Sequence, residues 1–259
     1  MIHMAILKDF TADALNVKIM DSRDHMGRVA GKEAADCLRR LLSEKETVNV
    51  IFAAAPSQDE TLLYLSQAEG IDWQRVNAFH MDEYIGLPEG APQAFSLYLT
   101  EHIFSKVPFG KVFLLNSQAK DAQAECDRYA QLLRDYPTDM VCLGIGENGH
   151  IAFNDPWVAD FCDEKLVKTV PLDPVCRQQQ VNDGCFARLE DVPENAITLT
   201  IPALTRAGHL FCTVPAKTKT WAVTQTVQAE ISETIPATIM RRHPDATLFC
   251  DSDSGSDLL

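Results

Sequence analysis

The sequence predicts an α/β fold with an open, mainly parallel β-sheet flanked by helices, of the Rossmann-like type. Two observations lead to this prediction. Short apolar runs alternate along the chain with amphipathic segments of helical period, a pattern typical of strands joined by crossover helices. Some runs, such as Val48–Ala54 and Met140–Ile145, are continuously apolar. Such runs indicate strands that are covered on both faces, as in a parallel sheet.

In the first part of the chain, each predicted strand leads into a predicted helix. Residues 15–20 form the first strand. Residues 25–42 follow as a helix, because apolar side chains recur there every three or four residues. After the strand at residues 48–54, Ser57 and Glu60 have the spacing of a capping box. This spacing predicts a helix with Ser57 as its N-cap.

The same alternation continues to the end of the chain. Further strands are predicted at residues 76–80, 112–115, 140–145, 167–170, 196–199, 210–214 and 247–250. Further helices are predicted at residues 95–104, 119–133 and 217–228. Residues 1–250 contain no internal repeat or linker, so we expect a single domain there. Residues 251–259 are rich in Ser and Asp, which predicts a disordered acidic tail.

The composition excludes several classes of protein. Of the 259 residues, 46% are hydrophobic and 23% charged, and no stretch approaches the roughly 18 apolar residues of a membrane span. The net charge of -14 argues against nonspecific nucleic-acid binding, which needs clustered Lys and Arg. Lys8 and Asp9 follow only a brief apolar run, unlike a signal peptide. We therefore expect a cytoplasmic protein without a membrane or nucleic-acid partner.

The eight cysteines are dispersed and include no C-x-x-C pair. The spacing of a zinc site or of a disulfide framework is therefore absent, and reduced, mostly buried thiols are expected. A catalytic nucleophile at Cys176 or Cys185 is the alternative that the sequence leaves open.

Polar or flexible residues follow three of the predicted strands directly, at Ala53–Ser57, Met81–Tyr84 and Gly144–His150. In an open α/β sheet, ligands bind beyond the carboxyl ends of the strands. We therefore expect these three segments to meet at one site.

Asp82 and Glu83 are the first acid–base candidates at this site. Adjacent residues on an extended segment point to opposite faces, so only one of the two carboxylates is expected to face a cleft. Apolar neighbours such as Phe79 and Met81 would desolvate that carboxylate and raise its pKa, as proton transfer from carbon requires. A pair of solvated loop carboxylates is the alternative.

The segment after residue 143 supplies a histidine in a flexible loop. Gly144, Gly146 and Gly149 allow close approach to a ligand, although they do not complete a dinucleotide fingerprint. His150 suits acid–base chemistry near neutral pH. Its ring could be oriented by one of three neighbours: Glu147, Asn148 or Asp155. A turn with a surface histidine is the alternative.

Residues 79–88 (FHMDEYIGLP) and 144–156 (GIGENGHIAFNDP) resemble the two signatures of the glucosamine-6-phosphate deaminases, also called isomerases. The order and separation of the two segments match as well. The resemblance extends from about Val48 to Cys250. It implies a fold of the deaminase/isomerase type, an α/β sheet as predicted above.

The resemblance implies conversion of glucosamine 6-phosphate and water to fructose 6-phosphate and ammonia, without a metal or organic cofactor. Asp82 would move the proton from C2 to C1, and His150 would assist ring opening while Asp155 holds its imidazole. Asn148 stands where the best-known members have Asp, and Asp155 where Glu is common. We therefore expect either a less basic His150 or the substitution of Glu147 for the missing Asp. Many family members are oligomers, so a homo-oligomer is expected.

The expected phosphate site departs from the family pattern. The usual Gly-Gly-Thr or Gly-Gly-Ser turn is absent from Phe52–Gln58, which leaves Ser57 and the following helix N-terminus as candidates. Lys217 matches the family's phosphate lysine. The family's phosphate arginine falls at Asn182, which makes Arg177 the candidate replacement. The other predicted substrate-binding residues belong to the same motifs: Gln58, Glu83 and Gly149.

Three other functions are consistent with the sequence. The 6-phosphogluconolactonases share the fold but normally have Arg after Asp-Glu, where this chain has Tyr84. The substrate could also be another amino-sugar phosphate, such as galactosamine 6-phosphate, or a sugar without phosphate. A non-catalytic sugar-phosphate sensor is the third possibility, against which the presence of both Asp82 and His150 argues.

Overall fold

The computed structural model describes residues 5–259 and has an eight-stranded main sheet beside a three-stranded one. The strands in chain order are β1 (Ile6–Ala12), β2 (Leu15–Met20), β3 (Val48–Phe52), β4 (Val76–His80), β5 (Asp82–Tyr84), β6 (Lys111–Phe113), β7 (Met140–Leu143), β8 (Val167–Pro171), β9 (Asn195–Leu199), β10 (His209–Val214) and β11 (Ala246–Cys250). The α-helices are α1 (Arg23–Glu44), α2 (Asp59–Ser66), α3 (Phe95–Leu99), α4 (Ala122–Asp135), α5 (Pro174–Asn182), α6 (Ile201–Thr205) and α7 (Thr220–Gln228).

The main sheet confirms the predicted fold class. Its strand order is β1-β2-β11-β10-β7-β3-β4-β6, and every neighbouring pair is parallel except the β1–β2 hairpin at one edge. From β3 the chain adds β4 and β6 on one side and then returns to place β7 on the other. The carboxyl ends of β3 and β7 therefore flank the point where the strand order reverses, the usual ligand-binding position in such sheets.

The continuously apolar runs are explained by two apolar layers on the main sheet. Val50 and Phe52 of β3 belong to one buried cluster, whereas Ile51 belongs to the cluster on the opposite face. In β7, Cys142 and Val141 divide in the same way. Because successive side chains of a strand point to opposite faces, a strand between two apolar layers has no polar face.

The strands β8 and β9, although predicted as strands, lie outside the main sheet. They form a small antiparallel sheet with β5, in the order β5-β9-β8. The chain leaves the main sheet at Met81, one residue after β4, and pairs Asp82 with Thr198 of β9. A sequence pattern indicates that a segment is extended, but not which sheet it joins. The sequence also did not predict β1, β5, α5 or α6.

The predicted capping box at Ser57 is wrong. Pro56–Gln58 form a 3-10 turn, and α2 begins at Asp59 after Gln58, without a side-chain cap. The Glu60 carboxylate instead accepts a hydrogen bond from Nε of Arg23 on α1, at 2.7 Å. The pair thereby joins the starts of α1 and α2.

The C-terminal segment is ordered, which contradicts the prediction of a disordered tail. Asp251 accepts hydrogen bonds from the backbone N–H groups of Ser254, at 2.8 Å, and Ala216, at 3.0 Å. The buried Ser254 hydroxyl donates to the carbonyl of Val214. Leu258 is buried as well. The Ser and Asp residues of this segment bind backbone groups rather than water, which composition does not reveal. Within residues 5–259, no helix has the length and apolar character that a bilayer crossing requires.

We expect Ser254→Ala to destabilise the fold, because it leaves buried polar groups without a partner. The loss should be about 1–2 kcal/mol, or roughly 2–8 °C in Tm. Ser256→Ala, at an exposed position of the same segment, is the matched control and should leave Tm unchanged. Thermal unfolding followed by circular dichroism measures both variants. Equal Tm values for the two variants would contradict a structural role for the tail.

Candidate active site

A cleft lies beyond the carboxyl ends of β3, β4, β7 and β10, and the three segments selected from the sequence meet in it. From those segments it is lined by Ala53, Ala54, Ala55, Pro56, Ser57, Met81, Asp82, Gly144, Ile145, Gly146 and His150. Its other walls come from α1, α3, α5 and the turn before α7. The parallel sheet therefore brings residues from distant parts of the chain to one edge.

Asp82 presents a desolvated carboxylate to the cleft. The residue is only 6% exposed and lies where the chain crosses from the main sheet to the small one. Burial raises the pKa of Asp82 well above its usual range, and the neighbouring charge of Glu83 raises it further. Within residues 5–259 no hydrogen bond reaches this carboxylate to stabilise its charged form. A raised pKa makes such a carboxylate a stronger base, and its protonated form can return the proton.

Glu83 has a structural role, which corrects its assignment to substrate binding. Its side chain is fully buried and accepts hydrogen bonds from the backbone N–H groups of Tyr84, Phe95 and Ser96, at 2.9–3.1 Å. Two of these donors are in the first turn of α3. Burial raises the pKa of Glu83, although these hydrogen bonds oppose the shift. Glu83 thus fixes α3, whose Phe95 lines the cleft.

His150 is oriented by a short hydrogen-bond chain. Its Nδ1 lies 2.7 Å from Oδ1 of Asn148 and 3.2 Å from Oδ1 of Asp155. Nδ2 of Asn148 donates to the same Asp155 oxygen at 2.9 Å. Because a carboxylate only accepts, the Asn148 amide must turn its NH₂ to Asp155 and its oxygen to His150. In the neutral imidazole, Nδ1 therefore carries the ring proton, and Nε2 is left with a free lone pair.

Asp155 is the buried anchor of that chain, with no exposed surface. Burial by itself would raise the pKa of Asp155, but hydrogen bonds from His150 and Asn148 and the charge of His150 lower it overall. Asp155 is thus an ionised partner for the imidazole. The backbone N–H of Asp173 contacts its other oxygen at 3.4 Å. The shorter side chain, relative to Glu, still reaches His150.

Glu147 does not take part in this chain. Its backbone N–H donates to Oε1 of Gln179, and none of the hydrogen bonds found in residues 5–259 joins its carboxylate to His150. The predicted alternatives for orienting His150 therefore reduce to Asn148 and Asp155. Both act together, because the amide bridges the ring and the carboxylate.

Packing requires two glycines of the motif. A Cβ at Gly146 would lie 2.0–2.2 Å from ring atoms of His150, so the imidazole can only lie over a glycine. Gly149 has φ +84°, and a Cβ there would meet Cγ2 of Ile235 at 2.8 Å. Gly149 does not line the cleft, which corrects its assignment to substrate binding.

The cationic end of the cleft differs from the prediction. Lys219 lines the cleft and is 5% exposed, whereas Lys217 is exposed and lies outside the lining. A backbone reversal at Ala216 (φ +80°) and the 3-10 turn Lys217–Lys219 decide which lysine faces inward. Arg23, which the sequence did not single out, also lines the cleft near Ser57.

Gln58 and Arg177 are likewise structural rather than substrate-binding. Nε2 of the buried Gln58 lies within hydrogen-bonding distance of the carbonyls of Leu143 and Thr213, at 3.2 and 3.3 Å, and so bridges β7 and β10. Arg177 donates to the carbonyls of Leu189 and Val192, at 2.9 and 2.8 Å. Both side chains are occupied by backbone oxygens and are absent from the cleft lining.

Helix α5 presents amides to the cleft instead of a cation. Gln179 and Gln180 line it, whereas Asn182 is exposed and accepts a hydrogen bond from Gln178.

Of the two cysteines considered as nucleophiles, Cys176 is buried, and burial raises the pKa of its thiol well above the usual range. Burial also raises the pKa of Cys185, to about 11. Neither thiol is activated as a nucleophile.

A family model matches most of the chain, including both motifs. The model for glucosamine-6-phosphate isomerases/6-phosphogluconolactonases matches residues 21–249. This chain belongs to that family. The resemblance inferred from the two motifs is confirmed.

Individual relatives of the family are similar over most of the chain. The glucosamine-6-phosphate deaminase of Listeria monocytogenes (serotype 4a, strain HCC23) is 33% identical over 230 residues, which are 88% of this chain and 96% of the relative. The deaminase of Streptococcus sanguinis (strain SK36) is 32% identical over 225 residues, 86% of this chain and 92% of the relative.

Solved structures extend the comparison to the fold. A monomeric glucosamine-6-phosphate deaminase superposes with a TM-score of 0.83 at 28% identity, covering 93% of this chain and 98% of its own. The 6-phosphogluconolactonase of Thermotoga maritima superposes with a TM-score of 0.75 at 20% identity, covering 92% and 99%, and shows the shared fold. The expectation of a homo-oligomer stays a prediction.

The desolvated Asp82 carboxylate should reduce the stability of the fold. Its pKa is higher in the folded than in the unfolded chain, so its contribution becomes unfavourable as pH rises from the unfolded value through the folded one. We therefore expect Asp82→Asn to raise Tm at neutral pH by a few degrees, with a smaller gain at lower pH. Asp257→Asn, at an exposed site, is the control. Thermal unfolding at several pH values tests this, and a lower Tm for Asp82→Asn at neutral pH would contradict it.

Proposed function

We propose that this protein is a glucosamine-6-phosphate deaminase, which converts glucosamine 6-phosphate and water to fructose 6-phosphate and ammonia. One observation carries the proposal: a buried, uncompensated carboxylate and an imidazole with a free Nε2 line the same cleft. The deaminases of similar sequence support it. The prediction that no cofactor takes part stays a prediction.

Asp82 is the proposed acid–base group for carbon. In its ionised form it removes the proton from C2 of the open-chain sugar while the carbonyl oxygen at C1 takes up a proton from solvent, which yields an enolamine. The protonated carboxyl then returns that proton to C1. Addition of water at C2 and departure of the amino group as ammonia leave the 2-keto sugar phosphate. A raised pKa suits this role, because the same group must hold the proton between the two transfers.

His150 is the proposed group for ring opening. With Nδ1 protonated and bonded to Asn148, Nε2 can accept the proton of the anomeric hydroxyl. The resulting imidazolium lies beside the ionised Asp155, at 3.2 Å, which stabilises its charge. Asn148 supplies no charge, so Asp155 replaces the electrostatic contribution of the acid that the best-known members carry at position 148. The imidazolium then delivers that proton to the ring oxygen, which completes the opening and restores the neutral ring.

Lys219 and Arg23 are the proposed partners of the phosphate. Burial lowers the pKa of Lys219, and within residues 5–259 no ion pair or hydrogen bond fixes its ammonium. A dianionic phosphate would supply the missing partner. Arg23 lies on the same wall with Ser57, although Glu60 already engages its Nε. Two local cations can thus attract an anion although the chain carries a net charge of -14.

The 6-phosphogluconolactonase alternative has less support, because of the residue at position 84. Tyr84 stands where that reaction class normally has Arg, and its ring is fully buried against Phe95, Phe153 and Phe186. No cation therefore follows the Asp82–Glu83 pair into the cleft. Another amino-sugar phosphate remains an alternative substrate, since no contact of the described residues identifies the C4 epimer.

Product formation from glucosamine 6-phosphate tests the proposed function. Purified protein should release ammonia and fructose 6-phosphate in equal amounts. Asp82→Asn should lose about 100- to 10,000-fold in kcat while it retains substrate binding, because general acid–base catalysis typically contributes about 10²–10⁴-fold. Asp257→Asn should match the wild type. Near-normal turnover of Asp82→Asn would remove Asp82 from the mechanism, and absence of ammonia from the wild type would overturn the activity.

A matched pair of lysine substitutions tests the phosphate site. Lys219→Met should raise KM by about 10- to 100-fold, as expected for the loss of a hydrogen bond to a charged group. Lys217→Met should leave KM unchanged, because that side chain is exposed and outside the cleft. Steady-state kinetics with both variants measures the difference. Equal effects of the two substitutions would contradict the assignment of Lys219.

A further inference from the structure

Cys176 lies beside the His150–Asp155 pair and has no part in the proposed reaction. One ring nitrogen of His150, one carboxylate oxygen of Asp155 and Sγ of Cys176 all lie within 4.8 Å of one another. The three residues are 7%, 0% and 1% exposed. In the part of the chain from 5 to 259, they are the one group of three His, Cys, Asp or Glu side chains with this proximity.

The separations approach those of a tetrahedral metal site. Zinc lies about 2.0–2.3 Å from nitrogen, oxygen and sulfur donors, so neighbouring donors lie about 3.3–3.6 Å apart. Nδ1 of His150 and Oδ1 of Asp155 are already 3.2 Å apart. Because Nδ1 is the ring nitrogen that faces Asp155, it is the one a shared ion would take. The donors lie within 4.8 Å of one another, so Sγ of Cys176 needs to approach by up to roughly 1.2–1.5 Å to share the ion.

The donor set selects a particular class of cation. A thiolate and an imidazole favour Zn²⁺ or Cd²⁺ over Mg²⁺ and Ca²⁺, which prefer oxygen donors. Because burial raises the pKa of the Cys176 thiol, the cation must displace its proton on binding.

We propose that His150, Asp155 and Cys176 form a binding site for a thiophilic divalent cation, Zn²⁺ or Cd²⁺, and that occupation of this site inhibits the enzyme. The ion binds Nδ1 in place of its proton, and the neutral imidazole keeps one proton, now on Nε2. The Cys176 thiol releases its proton to solvent. Nε2 then has no lone pair for the substrate, and Asp155 is shared with the metal. The binding is independent of the proposed function, whereas the inhibition rests on it.

Cadmium titration of the full chain tests the binding. The ultraviolet charge-transfer band of a cadmium thiolate should appear in the wild-type protein. In Cys176→Ser the absorbance of this band should be lower by the contribution of one thiolate. Cys185→Ser is the matched control, since Cys185 is half-buried and lies outside the cluster, and it should retain the Cys176 band. Superimposable titrations of the wild type and Cys176→Ser would overturn the site. Mg²⁺ at the same concentration should produce no change.

A measurement on the wild-type protein does not depend on how the variants fold. X-ray absorption of protein carrying one Zn²⁺ should show a single sulfur donor together with nitrogen and oxygen donors. A shell without sulfur, or with several sulfurs, would overturn the assignment.

Turnover of glucosamine 6-phosphate tests the inhibition. Zn²⁺ should inhibit the wild type and Cys185→Ser alike, and a chelator should restore both. The turnover that Cys176→Ser retains should need at least about tenfold more Zn²⁺ for the same inhibition. Binding at Cys176 without inhibition would overturn the regulatory part. If the wild type lacks deaminase activity, the proposed function fails, while the cadmium and X-ray measurements still decide the metal site.

Discussion

The hydrogen-bond chain from Asp155 through Asn148 to His150 is the interaction on which the site depends. It determines the tautomer of His150, since Nδ1 faces only acceptors and must carry the proton. Its geometry requires Gly146, because the ring lies where any larger side chain would have its Cβ. In this chain Asn148 positions the ring of His150, and Asp155 supplies a charge beside it.

The two sheets meet at the second catalytic candidate. β4 ends in the main sheet at His80 and β5 starts in the small sheet at Asp82. This crossing turns Asp82 toward the cleft, while the next residue, Glu83, points into the interior and fixes α3 through three backbone N–H groups. Two adjacent carboxylates thus have different roles because one faces a cleft without donors and the other faces a helix N-terminus.

The cleft carries charges of both signs. Asp82 and His150 line it together with the cations Lys219 and Arg23, and Asp155 pairs with His150. Asp82 and Lys219 are buried, which strengthens their interaction with a bound substrate relative to the screened surface. Unpaired buried charges reduce the stability of the fold. Asp82 and Lys219 therefore lower the free energy of unfolding of the protein without substrate, although the same groups suit substrate binding and catalysis.

The sequence by itself determined the fold class, the position of the cleft, and Asp82 and His150 as its central residues. Those conclusions depend on local features: continuously apolar strands such as β3, and two motifs directly after strands. Only the tertiary structure decided which neighbouring polar residue faces the cleft. Lys217 and Lys219 differ by two positions in a single 3-10 turn, and the reversal at Ala216 turns the second one inward. Glu83, Gln58 and Arg177 bind backbone groups brought near by distant elements, and residues 251–259 are ordered for the same reason. Spacing along the chain contains no record of such long-range partners, because they are set by how the elements pack.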